Sequence, residues 1–309
     1  MQTVATKPSF WGYFTLLAMA NLIWAGQGTA VKFLNPHLGP IAITFLPFYI
    51  ATVLLIPLLV LERRRNPKAV SPTWSDWRQF AAAGIFGQIL AQLGMTWGVT
   101  LSLASNGAIL NLLIPVITAV LASIFLREKI TMLRIACLLV GLGGVFLLSV
   151  QDLQQSSFLK TNFFVGNLLI LFGCFGSSFY NVCCKGLMAR FEEIEILIFS
   201  YIVASVVSLP LLIWKEPFDP AAFAGFDWRA WLAFGFLALF MYTASMLFFF
   251  KALQHLPVTV ASASLYLVPV FGVLIAWLFL GEKLSVTALC GTGIVLVSTV
   301  LIMRYDSGT

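Results

Sequence analysis

Twelve side chains able to hydrogen-bond lie inside otherwise apolar stretches: Asn21, Trp24, Gln88, Gln92, Asn111, Ser177, Tyr180, Asn181, Tyr242, Ser245, Ser262 and Tyr266. Their spacing is helical. Asn21, Trp24, Gly28 and Lys32 share one stripe, and Gln88 and Gln92 stand one turn apart. Asn111 precedes Pro115 by a turn, Ser177, Tyr180, Asn181 and Cys184 align, Tyr242 and Ser245 stand close together, and Ser262, Tyr266 and Pro269 align in turn. Neutral amides and hydroxyls beside indole and phenol rings suit reversible binding of a small zwitterionic or amphipathic solute. A polyanion would demand several buried cations. Any one of these residues could equally join two helices by a hydrogen bond, but convergence of the set favours a shared cavity.

The missing groups constrain the chemistry as much. All twelve acidic residues fall in connections or at the ends of apolar stretches, from Glu62 and Asp76 to Glu282 and Asp306. Carriers driven by protons or sodium usually place an ionisable group at depth, so the expectation is a facilitator or exchanger. Only His37 and His255 are present, both near span ends, and neither HExxH nor GxSxG occurs. The chain is not expected to be an enzyme. A channel, which would want a filter loop or a charged ring, is a further distant alternative. The five cysteines (Cys137, Cys174, Cys183, Cys184 and Cys290) lie in apolar stretches without a CxxC, so no metal site, disulfide scaffold or cofactor is implied.

These side chains need elements to carry them. Hydrophobic residues make up 60% of the chain and charged ones 10%, with a mean hydropathy of +0.97. A soluble domain carries about 25% charged residues, so the chain is an all-α integral membrane protein and the bilayer is its partner. Its net charge of +6 reflects cationic loops rather than nucleic-acid binding. Ten spans are predicted, at 10–32, 40–61, 79–100, 104–126, 131–150, 163–185, 194–214, 229–251, 257–280 and 285–303. The first apolar run is too long for a cleaved signal and is read as a retained helix.

With both termini cytoplasmic, thirteen cations face inward: Lys7, Arg63, Arg64, Arg65, Lys68, Arg78, Arg127, Lys129, Arg134, Lys185, Arg190, Lys251 and Arg304. Five face outward: Lys32, Lys160, Lys215, Arg229 and Lys283. That bias sets the orientation.

The spans repeat. Pro115 falls on Pro269 (269 − 115 = 154), and Leu126, Glu128 and Lys129 fall on Leu280, Glu282 and Lys283. Duplication at this period divides the chain into residues 1–153 and 154–309, five spans each. Five is odd, so the halves are inverted, the architecture of secondary transporters with a midplane site between repeats. Pro115 and Pro269 each break a mid-span helix and are expected to act as paired hinges. Lys32 and Lys185, matched at an offset of 153 (185 − 32 = 153), are expected to snorkel to headgroups or to contact solute. Gly94 and Gly98 form a GxxxG that marks close helix contact, as do Gly141, Gly143 and Gly144. The Phe248-Phe249-Phe250 run is expected to face lipid or core.

The duplicated five-helix unit, the Ala104–Lys129 and Val258–Lys283 segments, the glycine-rich Val140–Leu148 stretch and the Trp24-Ala25-Gly26…Lys32 opening resemble the EamA family of the drug/metabolite transporter superfamily. The resemblance covers nearly the whole chain. It implies a central cavity lined by spans 1, 3, 4, 6, 8 and 9, working by alternating access in a bacterial inner membrane. It also implies export of amino acids or related metabolites by a chain acting as a monomer, with efflux of amphipathic toxic compounds as the alternative. One departure is clear: many relatives carry an Arg in span 2, where this chain reads Phe45-Leu46-Pro47-Phe48.

Overall fold

The computed structural model describes residues 10–65, 70–102, 107, 110–148, 161–216, 221–280 and 286–306. Asn106, Asp152, Asp219, Glu282, Lys283 and the junction between residues 153 and 154 lie outside the described residues. Every described element is helical, and ten spans succeed one another. Span 1 is Phe10–Ala25 continued by Gln27–Leu34, span 2 is Pro40–Arg65, and span 3 runs through Trp74–Ala82, Ala83–Ile89 and Leu90–Leu101. Span 4 is described from Leu113 to Phe125, and span 5 is Met132–Leu148. Span 6 is Thr161–Leu187, and span 7 is Glu193–Lys215. Span 8 runs through Trp228–Gly235, Phe236–Ala244 and Ser245–His255. Span 9 runs through Val258–Ala263, Ser264–Tyr266 and Leu267–Leu280, and span 10 is Val286–Asp306.

Polar caps decide where several spans begin. Thr73 and Asp76 form a capping box at the start of span 3, Glu192 and Glu195 do the same for span 7, and Asp227 accepts the Ala230 N–H at 2.8 Å to start span 8. Each such cap satisfies donors that a helix start leaves open. Span 4 ends with Arg127 at φ 55°, the left-handed conformation, and the Glu128 N–H reaching back to the Ala122 carbonyl at 3.3 Å. Glycine is the usual residue at such a position. The second copy of the repeat reads Gly281 there.

The halves interlock about a pseudo-twofold. Span 3 lies along span 6 as span 8 lies along span 1, and span 4 lies on span 6 as span 9 lies on span 1. Spans 2 and 7, 4 and 9, and 5 and 10 meet as equivalent pairs. The outer faces of spans 6 and 7 present Phe164, Phe172, Val206 and Ile213, apolar side chains suited to lipid. Phe249 and Phe250 are fully buried, so the phenylalanine run belongs to the core.

Spans 3 and 6 approach closely because glycines remove side chains between them. A Cβ on Gly94 would meet the Leu169 carbonyl oxygen at 2.8 Å, and one on Gly176 would meet the Ala91 nitrogen at 2.6 Å. The GxxxG is therefore used inside the chain. Both span 3 and span 8 contain a wide π-helical turn, Ala83–Ile89 and Phe236–Ala244, starting 153 residues apart (236 − 83). Such turns are rare and concentrate at functional positions.

The sequence pattern places Pro115 and Pro269 in mid-helix, but both stand at a helical restart. Pro115 is in the first turn of Leu113–Phe125, and Pro269 is in the first turn of Leu267–Leu280, just after a 3-10 turn. There a missing N–H costs least, because first-turn donors lack intrahelical partners. The Ile114 N–H bonds the Asn111 carbonyl at 3.0 Å, leaving the Leu110 carbonyl to Cys174 Sγ at 3.4 Å. One turn on, Ser178 Oγ donates to the Ile114 carbonyl at 3.1 Å. Span 6 thus supplies the donors that the broken stretch of span 4 requires in a membrane.

Replacing Gly94 by Val should destabilise the protein by about 1–3 kcal/mol through overpacking against backbone. Gly143→Ala, whose Cβ meets nothing within 4 Å, should leave the melting temperature unchanged or slightly raised. Thermal denaturation in detergent measures both; equal melting of the two variants would refute the close approach of spans 3 and 6.

Candidate functional site

Between the halves lies a cavity of about 100 Å³, drawing its walls from spans 1, 3, 4, 6, 8 and 9. Trp24, Gln88, Gln92, Asn111, Ser177, Tyr180 and Asn181 line it, together with Pro269. A second compartment of about 110 Å³ shares Trp24, Gln27 and Asn111 with the first and follows span 1 past Gly28 and Thr29. The space therefore extends along the helix break at Gly26, where span 1 restarts as Gln27–Leu34.

The other candidates serve elsewhere. Asn21 is fully buried, and its Nδ2 donates to Ser264 Oγ at 2.9 Å and to the Leu17 carbonyl, tying span 1 to span 9. Ser245 bonds back to the Met241 carbonyl and Ser262 to the Thr259 carbonyl, each within its own span. Tyr242 packs edge-on against Phe48, with ring centroids 5.4 Å apart, while its carbonyl accepts the Tyr201 hydroxyl. The Tyr266 ring fills the space over Gly141 of span 5. Pro115 is buried and absent from the wall. Asn21, Tyr242 and Tyr266 pack or bond between helices, while Ser245 and Ser262 bond back within their own spans, uses that residue type alone does not separate from solute contact.

Lys32 and Lys185 both reach backbone carbonyls at helix ends. Lys32 Nζ donates to the Val99 carbonyl at 2.7 Å and the Ser102 carbonyl at 3.0 Å, closing the end of span 3. Lys185 Nζ donates to the Leu253 carbonyl at 2.6 Å and the Gln254 carbonyl at 3.2 Å, closing the end of span 8. The two contacts are the same device in each half: a cation at the end of the repeat's first span meets the C-terminal carbonyls of its third. Carboxylates do the converse at helix starts. Glu128 accepts from the Val258 N–H at 2.9 Å and from Thr259 Oγ1 at 2.9 Å at the head of span 9. Glu216 accepts from the Ile41 and Ala42 N–H groups at 3.2 and 2.8 Å at the head of span 2. Lys251 forms an exposed ion pair with Glu193.

The sequence pattern passed over Gln27, although an amide three residues after Trp24 carried the same signal as its neighbours. Met95, Met241, Met246 and Phe249 also line the cavity, and nothing in an apolar residue's type marks it as wall rather than core. The Trp24 and Phe249 rings lie 5.2 Å apart. Gln92 Nε2 donates to Gln88 Oε1 at 3.3 Å, and the Tyr180 hydroxyl is engaged with Ser200 Oγ at 2.9 Å. No acidic, basic or histidine side chain stands among the described wall residues. The described residues contain no cluster of His, Cys, Asp or Glu able to hold a metal ion.

The EamA-like transporter family matches the chain twice, over residues 10–150 and 164–304. The chain is 25% identical to a probable terminal-alkyne amino-acid exporter of Streptantibioticus cattleyicolor, over 94% of this chain and 93% of that one. It is 23% identical to an S-adenosylmethionine uptake transporter of Rickettsia conorii, over 96% and 92% of the two chains. A solved crystal structure shares the fold with a TM-score of 0.73 at 16% identity, covering 94% of this chain and 97% of that one.

Lys32→Met and Lys185→Met should each destabilise the protein, by about 1.5–3 kcal/mol as charge-assisted hydrogen bonds are lost. Lys251→Met, which removes an exposed ion pair, should cost less than about 1 kcal/mol. Unfolding in mixed micelles tests this; lysines that mainly anchored headgroups or solute would leave stability close to that of the wild type.

Proposed function

The chain belongs to the EamA-like transporter family, and we propose that it moves small amino-acid-like solutes across a bacterial inner membrane through the cavity between its halves. Membership establishes a membrane transporter rather than an enzyme. The substrate and mechanism are our reading. The observation that carries it is a cavity of about 100 Å³ bounded by amides, hydroxyls, aromatic rings and methionines, with no Asp, Glu, His, Lys or Arg among its described wall residues. Residues 1–153 and 154–309 act as inverted repeats with both termini cytoplasmic, a monomer suffices, and the cavity opens to each side in turn. The restarts at Pro115 and Pro269 serve as the paired gates. Trp24, Gln88, Gln92, Asn111, Ser177 and Asn181 contact the solute.

The uncharged wall supports a facilitator or exchanger, used mainly for export. One relative is named an exporter and another an uptake transporter, so the fold serves both directions. The Met95, Met241, Met246 and Phe249 wall also supports the second reading, efflux of amphipathic compounds.

Reconstituted protein should release preloaded amino acids from liposomes at a rate insensitive to an imposed pH gradient. Asn111→Leu and Ser177→Leu, which fill the cavity, should cut that flux more than about ten-fold, equivalent to about 1.4 kcal/mol in the barrier, with unchanged melting temperature. Gradient-driven accumulation would overturn the uncoupled mechanism, and wild-type flux from both filled variants would overturn the site.

A further inference from the structure

Buried donors gather around the cavity. Trp24 Nε1 and Gln27 Nε2 are buried N–H donors with no hydrogen-bond partner among the described residues, Gln88 Nε2 has only the Tyr180 hydroxyl near it and makes no hydrogen bond of ordinary geometry, and all three residues line the same space. Gln88 as a whole is only 1% exposed. Its carbonyl is already occupied by Gln92, which fixes the amide with its N–H₂ outward from that contact. A buried donor left unpaired costs free energy, so a set of them retained around one cavity points to something that accepts.

Resting on the transport reading above, we propose that Trp24, Gln27 and Gln88 bind a solute carboxylate, while the methionines of span 8 hold its flexible apolar tail. A carboxylate is acceptor-only and can take about four hydrogen bonds, so three neutral donors suit it. Bonds to an ionised acceptor are roughly twice as strong as neutral ones, which lets a site without Lys or Arg hold a single negative charge. A phosphate or dicarboxylate would leave charge uncompensated in this wall. Met95 lies beside the donors, and Met241 and Met246 face the space from the other half. Unbranched thioethers adapt to varied apolar shapes, so recognition is strict for the acid and loose for the tail. Trp24 and Gln27 belong to span 1 and Gln88 to span 3, so the first half grips the carboxylate and the second half the tail. The solute then bridges both repeats, and its two ends sense their relative movement.

Binding of L-norleucine, L-methionine, L-phenylalanine and hexanoate to the purified protein in lipid nanodiscs tests this, each compared with its carboxamide. At least one acid should bind, at least ten-fold more tightly than its amide. Gln27→Leu and Gln88→Leu should each weaken acid binding about ten-fold while leaving amide binding within two-fold. Gln88→Glu, nearly isosteric, should abolish acid binding by charge repulsion and spare the amide. Amides that bind as tightly as acids, an acid-to-amide ratio unchanged in all three variants, or no binding by any of the four acids would overturn the proposal. Transport of the amides, blocked by Asn111→Leu, would overturn it while leaving the transport reading in place.

Discussion

Inside a bilayer no backbone group can turn to water, so each helix end and each helix break must find its partner within the protein. Nearly every charged contact described at depth here answers that demand. Lys32 closes span 3 and Lys185 closes span 8, each through two carbonyls. Glu216 opens span 2 from the end of span 7, and Glu128 opens span 9 from the end of span 4. These last two cross between halves, which makes helix capping the element that sets one repeat against the other. Where span 4 restarts at Pro115, Cys174 and Ser178 of span 6 take the freed carbonyls.

With helix ends satisfied by ions at the periphery, the interior is left with neutral polar groups. Five spans of broken or π-turned helix and the continuous span 6 surround the cavity, while spans 5 and 10 pair at the side. Glycines bring spans 3 and 6 into backbone contact, so the walls are rigid where they pack and interrupted where they meet the cavity. The interruptions at Gly26, Ala83–Ile89, Phe236–Ala244 and Ser264–Tyr266 all adjoin that space. The candidate cavity and helical irregularity therefore coincide, in both repeats.

The architecture was legible because the bilayer imposes length and apolarity on each span, and because a 154-residue repeat leaves paired prolines and Glu-Lys pairs in view. The site was legible in part. Trp24, Gln88, Asn111 and Asn181 stood out as polar residues at depth, but Asn21, Ser245 and Ser262 carry the same signal and bond to helices instead. A hydrogen-bonding side chain in an apolar helix announces that it has a partner, and it does not say which. The lysines are ambiguous for a related reason: a cation near a span end satisfies headgroups, solutes and helix carbonyls alike, and here each meets two helix carbonyls. Met95, Met241 and Met246 left no trace, since burial against solute and burial against protein select the same apolar residue.

Cysteine accessibility tests the central claim, that this cavity is the path between the two sides. On a background with Cys137, Cys174, Cys183, Cys184 and Cys290 replaced, Asn111→Cys would be exposed to a membrane-impermeant thiol reagent in intact cells and in inverted vesicles. Leu209→Cys, on an outer face that is 45% exposed, serves as the lipid-facing control. Labelling of Asn111→Cys from both sides, with the control unlabelled, is the result an alternately opening cavity predicts. Labelling from one side only, or from neither, would contradict it.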